Sequence, residues 1–340
     1  MVLNSFILIY LTCSVLSLIV GVTAVCYGSI SWKRWDINSH SEEQYRLEKH
    51  IYLIITILSI GLFMKIATIP LWFVTLHSMI ISIPGAMCLA GVHNSHPHIA
   101  YVSSCLKIIL PAFYFYWLIV NHMDMKIWEM PFMKHKLFML IPLGIMIVVE
   151  AFLDINFFFS VAPRQVSCCT SLFDIPRGDI IQHVTDAGMV WAYLFCLLAV
   201  IFVGSIIYFI CHHPRVPAAR AGWWYGNKNI SIVQTLLIIS FITVFILALH
   251  TCISPVLLHA PFHHCIFCLF QKLWDVTFAF ILIYAASMIF LSYIWITTSS
   301  AYHKFHAILD KGVAALLKVA ALMLFAGLAV IAARILMEVI

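Results

Sequence analysis

Eight apolar runs occupy most of this chain, at 5–31, 50–74, 99–121, 137–161, 186–211, 230–254, 274–297 and 313–337. A helix of about 20 residues rises about 30 Å, the thickness of a bilayer's hydrocarbon layer, and a backbone inside that layer must satisfy its own N–H and C=O groups. The runs therefore specify an all-α, polytopic membrane protein, a bundle of about eight transmembrane helices. Only 10% of the 340 residues are charged, against roughly 25% in water-soluble domains. No stretch between the runs is hydrophilic for long enough to build a soluble domain, so one transmembrane domain over 1–340 is expected, with the lipid bilayer as its first partner.

Basic residues set the expected orientation. Lys33, Arg34, Arg46, Lys49, Lys126, Lys134, Lys136, Arg215, Arg220, Lys228, Lys304 and Lys311 follow the odd-numbered runs, while the alternate loops hold Arg164, Arg177 and Lys272. Loops rich in Lys and Arg stay cytoplasmic, which places both termini on the extracytoplasmic side. The first run has no basic residue before it and Lys33-Arg34 after it, the reverse of a cleavable signal, and is expected to remain as a helix. The cytoplasmic loops are short and topology accounts for their basic residues, so no nucleic-acid partner is expected.

This topology sorts the cysteines. The outer loops 75–98, 162–185 and 255–272 hold Cys88, the vicinal pair Cys168-Cys169, and Cys265 with Cys268. A vicinal pair and a C-x-x-C on the oxidising face are poorly explained as small buried hydrophobes. The segment from His259 to Cys268 reads H-A-P-F-H-H-C-I-F-C; Pro261 interrupts a helix there, and an ordered re-entrant or interfacial loop is expected. The first outer loop adds His93, His96 and His98 beside Cys88. Thiolate with imidazole is a ligand set for copper(I) or zinc. The three loops are expected to form one extracytoplasmic site in which Cys88, Cys168, Cys169, Cys265 and Cys268 are metal ligands or redox thiols. His263, His264, His93 and His96 are the accompanying imidazoles.

Ionisable residues inside the runs are costly and point to function or to packing by ion pairs. Lys65, Lys107, Glu150, Asp154, Asp186 and Asp275 all map to the outer halves of their helices. Glu150 and Asp154 share one helix face and Lys107 lies at matching depth, while Asp174 and Asp154 are candidate partners to metal-bound imidazoles. Only Lys318 maps to the inner half, so no polar track toward the cytoplasm is expected. In the last run, Ala329 and Ala333 form a small-xxx-small face suited to a close helix contact.

Three readings follow. The first is a metal-handling protein that binds copper or zinc for delivery, assembly or catalysis within a membrane complex, with other membrane or extracytoplasmic subunits as partners. The second is a thiol-disulfide oxidoreductase that uses Cys265-x-x-Cys268, with a quinone between helices to take the electrons. The third, a non-catalytic scaffold subunit, follows if the cysteines do not meet. His259-x-x-x-His263-His264 and His93-x-x-His96 resemble in local spacing the histidine boxes of membrane fatty-acid desaturases and hydroxylases, which implies a di-metal oxygenase. Pro97 and Pro261 and the outer placement depart from that pattern, and neither fold nor activity is carried over.

Overall fold

The structure, a computed structural model, describes residues 4–36, 41–127, 129–161, 165–167, 180–212, 228–260, 263–299, 302 and 304–339. Every regular element among them is helical, and eight helices are long and apolar enough to cross a membrane. The protein is an integral, multi-pass membrane protein of the all-helical class. It divides into two compact units, Met1–Cys168 and Cys169–Ile340, described in turn.

The first unit contains α1 (Ser5–Arg34), α2 (Glu42–Ser78), a 3-10 turn at Ile80–Ser82, α3 (Leu89–Asn94), α4 (Pro97–Asp124) and α5 (Met133–Ser160). The Asn4 side chain caps α1 by accepting from the Phe6 N–H at 2.7 Å. Helix α2 begins eight residues before its apolar run. Ser41 accepts the Gln44 N–H at 3.2 Å, and Glu42 and Glu43 sit in the first turn, where a helix N-terminus favours anions. Hydropathy misses this polar turn although its capping signal is plain.

Helix α1 buries Ser14, Ser17, Gly21, Ala24, Gly28 and Ser31 on one face. These small residues bring its backbone against α5: a Cβ at Gly21 would lie 3.0 Å from the Gly144 carbonyl oxygen, and one at Gly144 would lie 2.7 Å from that of Gly21. Hydrocarbon gives apolar helices no solvent-driven reason to associate, so such close packing must supply the attraction. The interior is filled by Leu58, Leu62, Tyr114, Trp117, Leu140 and Ile147. Ile60, Phe63 and Phe152 point outward, as lipid contact requires.

The second unit contains α6 (Ile180–His212), α7 (Lys228–Ala248), a π-helical turn at Leu249–Ile253, and α8 (Ser254–Leu257). It continues with α9 (Ile266–Lys272), α10 (Trp274–Thr297) and α11 (His306–Val339). Phe195 stacks on Phe245 with centroids 4.9 Å apart, and Phe202 packs on Phe241 at 4.7 Å. Helices α10 and α11 touch at Gly327, where a Cβ would lie 2.9 Å from the Ala279 carbonyl oxygen. Ala329 and Ala333 are exposed, so the small-residue contact of α11 within this unit falls on Gly327 and not on the expected alanine pair.

Candidate metal centre

The C-x-x-C segment lies in the second unit, and its placement begins with a defect in a helix. Across the π-helical turn the Ser254 N–H bonds to the Leu249 carbonyl, five residues back. The next residue is Pro255, which has no N–H. The His250 carbonyl is thereby deprived of both its α-helical and its π-helical donor. The His264 ring supplies one instead, Nδ1 donating to the His250 oxygen at 3.1 Å. Ser254 Oγ donates to the Cys265 carbonyl at 3.1 Å, which fastens the other side of the same segment.

This bond fixes the tautomer. A carbonyl only accepts, so Nδ1 carries a proton, and in the neutral ring Nε2 holds the lone pair. His264 is buried, and its Nε2 has no hydrogen-bond partner. A buried imidazole lone pair left open, with the other nitrogen bonded to a carbonyl, is the arrangement of a histidine metal ligand. Cys265 is fully buried at the N-cap of α9, and Cys268 follows in the first turn of that helix. Their Sγ atoms lie within 4.8 Å of each other, compatible with two thiolates each about 2.3 Å from one ion. The segment is thus half helix, and the expected loop ends at Cys265. His259, with φ +51°, turns the chain before it and pairs through Nε2 with Glu338 at 2.7 Å.

In the first unit, Cys88 is buried at the N-cap of α3. Beside it Gly85 has φ +87°, and a Cβ there would clash with the Val166 carbonyl oxygen. Val166 donates its N–H to the Pro84 carbonyl at 3.0 Å, and the Asn94 amide donates to the Ser167 carbonyl at 3.3 Å. Residues 165–167 are thereby pinned along the Pro84–Asn94 segment. His93 does not pair with His96 as a ligand set. Its ring is buried with Nδ1 on the Leu89 carbonyl and Nε2 on Ser104 Oγ, both at 2.7 Å, so neither nitrogen is open to an ion. His96 Nδ1 is buried with no hydrogen-bond partner.

Burial holds the His93 ring below the ordinary imidazole range, with Lys107 acting the same way and the Leu89 carbonyl and Cys88 opposing. The unfolded chain then takes up this proton first. The stability that neutral His93 contributes is full above about pH 6.5 and is lost as the pH falls below it. His93→Gln should flatten the fall in melting temperature of detergent-solubilised protein between pH 7.5 and 5.5. An unchanged slope would contradict the buried neutral ring.

The intramembrane charges of this unit form a closed network. Asp154 accepts from Tyr10 Oη at 2.7 Å, from Lys107 Nζ at 2.6 Å, and from Ser103 Oγ. Glu150 accepts from Lys65 at 2.9 Å, Lys107 at 3.1 Å and Tyr114 Oη at 3.2 Å. Lys107 thus bridges both carboxylates, and Lys65 joins it through Glu150. Asp275 instead pairs at 3.7 Å with Arg334 in the second unit.

A second buried pair corrects the expected one-sidedness. Lys136 Nζ lies 2.7 Å from Asp124 Oδ2 and donates to Asn121 Oδ1 at 2.9 Å, at the end of α4 opposite His93. Lys136 is enclosed within α5, so it is no solvated loop charge. Its proximity in sequence to Lys134 disguises it.

Cys168, Cys169 and Asp174 lie outside the described residues, as do Pro261 and the side chain of Asp186. Comparison with known proteins gives no match: no family model, curated protein or solved structure is similar to this chain.

Proposed function

We propose that this membrane protein binds a soft transition-metal ion, copper(I) or zinc, through Cys265, Cys268 and His264. In this reading the site faces the extracytoplasmic side and hands its ion to, or keeps it for, a membrane complex. The observation that carries the reading is the pair of Sγ atoms of Cys265 and Cys268 within 4.8 Å of each other, with Cys265 fully buried; His264, next in sequence, is the candidate nitrogen donor, its buried Nε2 having no hydrogen-bond partner. A buried nitrogen acceptor without a donor costs about 1–3 kcal/mol, and an ion removes that cost. His263 is the adjacent imidazole. Cys88, Cys168, Cys169 and His96 are further candidate donors on the ground of their residue types and expected loops.

Two sulfurs within 4.8 Å also suit a dithiol that closes to a disulfide, with a quinone or a partner thiol as electron acceptor. Elemental analysis of the purified full-length protein, paired with thiol counting before and after reduction, separates the two. Stoichiometric copper or zinc, released together with two newly reactive thiols on chelation, supports the metal reading. Metal-free protein whose two thiols appear only after reduction sinks it in favour of the redox reading.

A further inference from the structure

One face of α4 carries Ser103, Lys107, Leu110, Tyr114, Trp117, Asn121 and Asp124, all buried and alternating in steps of four and three. Twenty-one residues of helix rise about 32 Å, the full depth of a bilayer's hydrocarbon of about 30 Å. Six of these seven side chains hydrogen-bond or ionise, and the neighbouring helices set matching groups against them. Tyr10 comes from α1, Lys65 and Ser59 from α2, and Lys136, Glu150 and Asp154 from α5. His93 adjoins the Ser103 end through Ser104, whose hydroxyl also receives the Trp72 indole N–H at 3.2 Å.

A network that only locks helices together needs matched pairs, and apolar side chains would pack the seam without desolvating six charges. Here the charges are matched, three lysines against three carboxylates, but the hydrogen-bond donors are not. Among the described residues Lys65 Nζ, in a side chain 3% exposed, meets one acceptor, Glu150, with three N–H donors. Each carboxylate of the first cluster also holds a tyrosine hydroxyl, a group that can pass a proton on as it receives one. The second cluster, Asp124, Lys136, Asn121 and Ser59, repeats the charge pairing at the other end of the seam. Between Tyr114 and Asn121, a rise of about 10 Å, stands Trp117, its indole N–H donating to the Lys136 carbonyl at 3.2 Å.

We propose that this seam conducts protons through the first unit, independently of the metal site. A proton from the aqueous phase at the His93 end reaches Asp154 or Glu150 and makes a neutral carboxyl. The cluster of Lys65, Lys107, Glu150 and Asp154 changes from neutral to a charge of +1. A proton then leaves through Tyr114 and crosses to the Asp124–Lys136 pair on water admitted beside Trp117, whose indole donates only and cannot relay it, and passes from there to water on the opposite side. O–H and N–H bonds alone form and break, no electrons move, and one proton taken up on one side is released on the other. The pH gradient or membrane potential drives it.

The test is full-length protein in liposomes with a trapped pH dye and a potassium-valinomycin potential. Wild type should acidify the interior several-fold faster than protein-free liposomes. Glu150→Gln and Asp124→Asn should return the rate to the protein-free level. Tyr114→Phe, which removes one hydroxyl and keeps the ring packing, should cut the rate at least several-fold and serves as the deciding variant if the charge changes prevent folding. A wild-type rate equal to that of protein-free liposomes, or a folded Tyr114→Phe protein that conducts like wild type, overturns the proposal.

Discussion

Serine at both Cys265 and Cys268 should weaken metal binding by at least a thousandfold and leave the protein without stoichiometric metal after purification. Thiolate sites hold zinc with about 10–16 kcal/mol of apparent free energy at neutral pH, and a thousandfold loss is about 4 kcal/mol, a modest share for two sulfurs. His264→Gln removes the third donor and should cost about 10–100-fold, the range found when the ordering of a ligand set is disturbed. Pro255→Ala tests the origin of the arrangement without touching a ligand. It restores an N–H at position 255 that can satisfy the His250 carbonyl, releasing the His264 ring from the bond that fixes its tautomer, and should weaken binding in the same range. Chelator competition followed by elemental analysis reads all of these. Metal retention by the double serine variant at wild-type affinity would remove Cys265 and Cys268 from the site.

Asp154→Asn should be the most destabilising single change in the first unit. It strips the charge from a carboxylate that is fully buried and accepts from three donors, leaving Lys65 and Lys107 to share Glu150. Breaking a buried pair by removing one partner costs about 3–5 kcal/mol, whereas replacing both by apolar residues of similar volume is often close to neutral. The double change Lys107→Met with Asp154→Leu should therefore recover much of the loss. Thermal melting in detergent ranks the three proteins. A single variant as stable as wild type would mean the ion pairs do not close as described.

The membrane architecture was open to reading because hydrocarbon tolerates so few backbone solutions: eight apolar runs of spanning length become eight apolar helices. Their polar ends were not, since the first turns of α2 carry Glu42 and Arg46 and owe their helicity to the Ser41 cap and an i,i+4 pair. Composition also marked Cys265, Cys268 and His264 as ligand types. It did not say which nitrogen of which histidine would be open. That depended on Pro255 falling five residues after His250, one missing N–H that matters only when the turn before it is π-helical. His93 looked like a ligand from its neighbours in sequence, and the fold turned it onto Ser104 instead. The sequence hides the Asp124–Lys136 pair because both residues flank apolar runs, where charge is ordinarily solvated. The four-three spacing from Ser103 to Asp124 was present in the sequence all along, and it needed α5 beside it before Lys136 could be placed against Asp124.

X-ray absorption at the metal edge of the loaded full-length protein addresses the metal centre most directly, because it counts the atoms around the ion. Sulfur scatterers are expected at about 2.3 Å and an imidazole nitrogen at about 2.0–2.1 Å, with the sulfur shell lost from the Cys265→Ser/Cys268→Ser protein. A shell of oxygen and nitrogen alone, or one left unchanged by those two substitutions, would contradict it.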